Sequence, residues 1–363
     1  MTVEQPLTAP AAVLDRAAAD RAAGLEFGRT IDRSLVHRAA LEEVFVTDFR
    51  SLAPDRFRAG GRLPLAHPYY TDDVALSRRY DALAVFECVR QTLLCALHLH
   101  HRVADEAKAV TASTGLRVAD PAALEARPGG HELELDGSVL VEKQRDGALG
   151  RVVHRVEVRS AGRLVGDVTV DTAVLNAAAY GQLRMKERDT VAPSSAALAE
   201  RQEPSALPAA LFGRQNPDNV LLRSVRVDGC AAQAGMRLPL SHSSLFDHPQ
   251  DHLPGTALLE AARQLALLLA GEVFGRWPAR TVLLALDARY HRFAELDQPL
   301  TIEARYVEAG PRSFTEPIAV VFRQSGRDVA EVTLRLTGAE PGAASALPQP
   351  ARGSRADDGR ERS

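Results

Sequence analysis

The 363-residue chain is 45% hydrophobic and 25% charged, with a formal net charge of −3. That balance fits a soluble globular protein with room for two medium domains. With no run of Lys/Arg and no basic helix, neither nucleic acid nor a membrane surface is expected as a partner. Three lysines (Lys108, Lys143, Lys186) stand against 41 arginines, a bias expected from a GC-rich gene rather than from arginine chemistry.

In chain order, the start "MTVEQPLTAP" lacks the positive end and apolar core of a signal peptide, and no apolar run approaches the length of a membrane-spanning helix. A cytoplasmic protein is expected. Residues 1–33, rich in Ala and charge, are expected to form a loose helical extension. "PLAHPYY" follows at 64–70, and "DALAVFECVRQTLLCALHL" at 81–99 has the periodicity of a helix apolar on nearly every side. Cys88 and Cys95 share a face of it and, with Cys230, make an odd count without CxxC spacing. Buried thiols are expected, not a disulfide or zinc site. "HLHH" at 98–101 lacks carboxylate or thiolate partners at ligand spacing and fits a helix end; no metal and no cofactor are expected.

Next, "RVVHRVEVRSAGRLVGDVTVD" (151–171) predicts a hairpin turning near Ala161-Gly162. Pro and Ser crowd 187–217, as in a linker. Beyond it, "PLSHSSLFDH" (239–248) echoes the earlier His segment, and "PGTALLEAARQLALLLAGEV" (254–273) echoes the helix. A shift of 173 places Glu87 on Glu260, Arg90 on Arg263 and Gln91 on Gln264. Four β-rich runs follow, over 280–293, 299–309, 315–324 and 328–338, and the tail after Gly338 has the composition of disorder. The chain therefore divides into an extension (1–33), a first unit (34–186), a linker (187–217), a second unit (218–338) and a tail (339–363). Each unit supplies a lead strand, an apolar helix and then antiparallel strands able to curve round it, an α+β double hotdog.

Two resemblances rest on these segments. "LFDHPQDHLPGTALLEAARQ" is similar to the signature of 3-hydroxyacyl-ACP dehydratases, with Gly255 five residues before Glu260. "LVHRAALEEVFVTD" (35–48), "HPYYTDD" (67–73), "LAVFECVRQ" (83–91) and "DHPQDHLPGTALLEAARQ" (247–264), in tandem, resemble the A-factor biosynthesis (AfsA-like) family of γ-butyrolactone synthases. This resemblance implies transfer of a β-ketoacyl group from acyl carrier protein to dihydroxyacetone phosphate. The double hotdog would act as a monomer or a homodimer.

The expected site centres on the second helix. Glu260 sits in a sequence without a generous polar face, where desolvation favours a carboxyl able to take a proton near neutrality. The plainer reading of Glu260 is an i,i+3 ion pair with Arg263. Gly255 lets backbone approach a thioester carbonyl and offers an N–H to an oxyanion. Of His242, His248 and His252, any of which could be a polar loop residue, His248 lies nearest the dehydratase histidine's place. Arg263, and Arg90 with it, suits a phosphate-bearing acceptor. Glu87, Arg90, Gln264 and His67 complete the substrate-binding candidates, although the first helix has Asp81-Ala82 where the second has Pro254-Gly255. No GxSxG, Walker loop or GxGxxG is present. Two other readings stay open: a hotdog dehydratase or thioesterase, and a non-catalytic receptor for a small ligand.

Overall fold

The computed structural model describes residues 24–75, 79–126, 131–188, 190–198, 207–308 and 310–338. The first half contributes β1 (Val46–Ala53), β2 (Arg56–Leu63), helix α1 (Ala82–Cys95), β3 (Lys108–Val118), β4 (His131–Arg145), β5 (Ala148–Ser160) and β6 (Arg163–Leu175). Helix α2 (Ala177–Glu187) leads out of it. The second half repeats the order with β7 (Leu222–Asp228), β8 (Ala231–Met236), helix α3 (Gly255–Phe274), β9 (Thr281–Tyr290), β10 (Leu300–Tyr306), β11 (Ile318–Gln324) and β12 (Arg327–Gly338).

All twelve strands join one sheet in the order β1-β2-β4-β5-β6-β3-β9-β12-β11-β10-β8-β7. Read inward from either edge, both halves have the same connectivity, and they meet antiparallel at β3–β9, with Gly115 opposite Asp287. The expected duplication is thus a duplication of topology, and the double hotdog is the observed architecture. The lead strand of each half is a hairpin (β1–β2, β7–β8) rather than a single strand.

Local chemistry explains the elements. The Ala161-Gly162 turn has φ of 47° and 76°, positive at both central positions as a tight hairpin turn needs. In β11 buried and half-buried residues alternate strictly, the signature of a strand with one face on the core. Asp81 caps α1 by accepting from the Leu83 N–H at 2.8 Å, and α3 ends at Gly275 in the left-handed region. Along α3 every residue from Ala257 to Ala270 is buried except Arg263, and the helix packs on β7 through β12. One apolar cluster runs through both halves, with a small satellite of Leu94, Leu97 and Val152 in the first.

Two expectations change. The segment Ala82–His100 does reach spanning length and apolarity, with a mean hydropathy of 1.4, but 83% of that stretch is buried inside the protein. Its two charges, Glu87 and Arg90, neutralise each other, which is how so apolar a helix serves a core. The helix expected over 1–33 is absent from 24–32, which lie against β1 through Ile31 N–H to Val46 O (3.0 Å). Residues 1–23 and the tail from 339 lie outside the described residues. "HLHH" ends α1 as expected, in a π turn whose histidines go to separate partners: His98 to His37, His100 to Ser51, His101 to His154. Cys88 and Cys95 are buried, and burial pushes the Cys95 thiol up to about 12.

Candidate active site

The Glu-x-x-Arg-Gln pattern builds the same cluster twice. On α1, Gln91 accepts from Phe45 N–H (2.8 Å) and donates to Glu43 O (2.7 Å) and Glu87 Oε1 (2.9 Å). On α3, Gln264 accepts from Leu221 N–H (2.8 Å) and donates to Asn219 O (2.7 Å) and Glu260 Oε1 (2.6 Å). Each glutamine thereby ties its helix to the chain entering the lead hairpin. Each glutamate, fully buried, faces two guanidinium groups: Glu87 meets Arg38 (2.6 Å) and Arg90 (2.8 Å), Glu260 meets Arg214 (2.8 Å) and Arg263 (2.6 Å). Burial alone would raise the Glu87 carboxyl, but Arg38 and Arg90 hold it well below the usual carboxylate range.

The second guanidinium in each cluster crosses between halves. Arg38 reaches Ser244 O (3.2 Å) and Asp247 (3.3 Å) of the second half; Arg214 reaches Tyr69 O (2.6 Å) and Asp72 O (3.3 Å) of the first. Asp247 also accepts from Ala39 N–H (2.8 Å), and Asp72 from Asn216 N–H (3.0 Å). An unpaired ion buried here would cost several kcal/mol, and each glutamate is paired with an arginine of its own half that also reaches acceptors of the other.

On one side this frame opens into a cavity of about 660 Å³, within the size range of small-molecule sites. Arg90 and Lys108 come from the first half; His248, Gly255 and Tyr290 come from the second. His248 Nδ1 lies 2.5 Å from Asp247 Oδ1, and the imidazole side chain is 41% exposed. A carboxylate can only accept, so Nδ1 is the donor, and in the neutral ring this tautomer leaves the lone pair on Nε2. The Asp247 side chain is wholly buried; burial would raise its pKa, but His248 and Arg38 bring it below the ordinary value.

Gly255 opens α3 after Pro254, and no side chain caps this end. The first N–H groups of a helix have no partner inside it, so this end presents donors and the positive end of the dipole to the cavity. An added Cβ at Gly255 would meet the Tyr290 hydroxyl at 3.3 Å, tighter than ordinary contact, so the missing side chain keeps the approach open. Burial, aided by His98, Arg90, His248 and Lys108, holds His37 down to about 4, so this cavity-lining imidazole is neutral at pH 7.

The expected residues therefore divide between two places. Gly255, His248 and Arg90 line the cavity, with Glu87 directly behind Arg90. Glu260 and Gln264 belong to the other cluster, away from the cavity, and each Glu260 oxygen lies at ion-pair distance from a guanidinium, Oε1 from Arg214 and Oε2 from Arg263. Arg263 joins them, its other nitrogen on Asp81 at 2.6 Å. Five residues of helix turn the side chain about 140° and move it about 7.5 Å, so Gly255 N–H and the Glu260 carboxyl serve different sites. His67 is buried outside the cavity, accepting from Tyr69 and Tyr70 N–H at 3.2 Å and facing Glu43 at 3.3 Å. Asp247, Arg38, Arg214 and Lys108 were not singled out in the sequence. The doubled Asp-His of "DHPQDH" was the available signal for Asp247; nothing local marks Arg38 or Arg214, whose glutamate partners lie 49 and 46 positions along the chain.

The chain matches the A-factor biosynthesis hotdog domain over residues 19–176 and again over 196–339. It is 28% identical over 332 residues to a 2-oxo-3-(phosphooxy)propyl 3-oxoalkanoate synthase of Streptomyces coelicolor, covering 89% of this chain and 97% of that one. A synthase of the same name from Streptomyces virginiae is 30% identical over 296 residues, 77% of this chain and 88% of the other. Among solved structures, the pyran synthase domain from module nine of the sorangicin pathway is similar at a TM-score of 0.47 and 15% identity, over 82% of this chain and 98% of that one.

Proposed function

Because this chain belongs to the A-factor biosynthesis hotdog family, we propose that it is an acyltransferase that makes a 2-oxo-3-(phosphooxy)propyl 3-oxoalkanoate, joining a 3-oxoacyl group from an acyl-carrier thioester to dihydroxyacetone phosphate. The observation that carries the reading is one cavity shared by a carboxylate-oriented imidazole, His248, and the uncapped helix end at Gly255. Acyl transfer needs those two functions together: a base for the incoming hydroxyl and donors for the oxygen that becomes negative.

In this mechanism the thioester carbonyl oxygen points at the Gly255 end of α3. The triose hydroxyl oxygen bonds to the acyl carbon, its proton passes to His248 Nε2, and negative charge gathers on the carbonyl oxygen. The carbon–sulfur bond then breaks, and His248 returns the proton to the departing thiolate. Ester and free thiol are the only products, so no oxidant, metal or cofactor enters the balance. Asp247 keeps the imidazole in the productive tautomer, and Arg38 keeps Asp247 charged. Both halves supply residues, so one chain completes the site.

The test is to incubate the protein with a 3-oxoacyl carrier thioester, with and without dihydroxyacetone phosphate, and to analyse products by mass spectrometry. Phosphorylated ester should form only with the triose, and His248→Ala should slow it by about 10²- to 10⁴-fold. Free acid at the same rate without triose phosphate would mean hydrolysis instead, and enoyl product from a 3-hydroxyacyl carrier thioester offered separately would mean dehydration.

A further inference from the structure

The two halves differ at the position just before the helix, and that difference identifies where an anion belongs. Under the 173-residue shift that superposes Glu87-Arg90-Gln91 on Glu260-Arg263-Gln264, Asp81 of the first half falls on Pro254 of the second. The clusters otherwise pair equivalent residues. Arg263 holds Glu260 with NH2 at 2.6 Å, and with NH1 it holds the buried Asp81 carboxylate, also at 2.6 Å. Arg90 holds Glu87 with Nε and NH2, both at 2.8 Å, and among the described residues it has no second carboxylate. Its side chain is 32% exposed to the cavity against 13% for Arg263. Proline, at the matching place, is uncharged and borders the same cavity.

We propose that the cavity seats the phosphate monoester of the acceptor on the outer face of Arg90, the place that Asp81 fills on Arg263 in the other half. The inference rests on the acyl-transfer reading of this cavity and names the subsite that holds the triose phosphate. A guanidinium with one edge committed to Glu87 keeps free N–H donors for a second oxyanion, as Arg263 demonstrates with Asp81. Lys108, exposed at the cavity and without an ion pair among the described residues, adds a second positive charge, and the neutral His37 that also lines the cavity does not oppose an anion. The acids near the cavity are already engaged: Asp247 by His248 and Arg38, Asp251 by His252, Tyr180 and Arg184, and exposed Asp105 by His98 at 3.5 Å. The mirror cluster is thus a site closed by its own carboxylate, and the open one awaits a ligand's anion.

Pro254→Asp should reproduce the closed arrangement by giving Arg90 an internal carboxylate, while Pro254→Asn offers the same shape and capping ability without charge. Both variants and the wild type would be titrated calorimetrically with dihydroxyacetone phosphate, without acyl donor, and separately with 4′-phosphopantetheine, the other phosphate this cavity could meet. Triose phosphate should bind wild type and Pro254→Asn similarly, and Pro254→Asp at least about tenfold more weakly, from like-charge repulsion and loss of the Arg90 donors. Phosphopantetheine binding should differ by less than about threefold across all three. Equal triose-phosphate affinity for the Asp and Asn variants, a loss confined to phosphopantetheine, or no triose-phosphate binding by the wild type would overturn the proposal. If the calorimetry behaves as expected while no ester is ever formed, the subsite stands and the acyl-transfer reading alone fails.

Discussion

At the scale of single residues, burial and pairing decide which groups can act. Glu260 was the carboxyl expected to take a proton, because the sequence around it offers no polar face. That part was legible: the residue is fully buried. What the sequence near it could not show is Arg214, 46 positions away, which occupies one of its oxygens at 2.8 Å. His248 was reached through the resemblance to the dehydratase histidine and Gly255 through the Pro-Gly pair before the helix; both line the cavity. The same reasoning yields a stability prediction at His154. Burial, with His101 and His100, pushes this imidazole down to about 3, and its Nε2 lies 2.9 Å from His101 Nε2, so the two rings cannot both be charged. In the unfolded chain His154 takes a proton near its ordinary value of about 6.5. Its contribution is complete above about pH 6.5 and is lost as the pH falls toward the folded value. Urea unfolding at pH 7, 5.5 and 4.5 should show stability declining by about 1 kcal/mol per pH unit, and His154→Gln should flatten that slope. An unchanged slope in the variant would place the acid sensitivity elsewhere.

At the scale of elements, the two central helices and the strands after them were readable because their signals are local. Period 3.6 in apolar residues marked α1 and α3, and the Ala-Gly turn and the alternation in β5, β6 and β9 to β12 marked the later strands. The lead hairpins were read as one strand each, because β8 is only six residues long and β2 contains Gly60-Gly61, which weakens its pattern. The site was half legible for a geometric reason. A helix end and a side chain five residues along it point in different directions, so one helix contributes to two sites. Duplication then distributes the parts: the open cavity takes its N–H donors from α3 and its arginine from α1, while the closed cluster takes its arginine from α3 and its carboxylate cap from α1.

For the whole molecule, two features bind the halves into one unit. The sheet continues through β3–β9, and Arg38 and Arg214 each satisfy a buried glutamate of their own half together with acceptors of the other. Removing one member of such a buried network costs about 3–5 kcal/mol. The protein should therefore unfold in a single cooperative transition, with fluorescence from Trp277 and far-ultraviolet dichroism coincident, and Arg214→Met should lower the midpoint without splitting it. Two separated transitions would show that the halves are independent domains joined only in sequence. The same interlocking forms a cavity that neither half builds alone, with His248 and Gly255 from one half and Arg90 from the other, and there we place the proposed acyl transfer. The most direct measurement of that claim is a crystal structure with dihydroxyacetone phosphate and a stable amide analogue of the 3-oxoacyl pantetheine thioester. The analogue's carbonyl oxygen should lie about 3 Å from the Gly255 N–H, with the triose hydroxyl facing His248 Nε2. Density for the acyl group beside Glu260 and Arg263 instead, with Asp81 displaced, would contradict it.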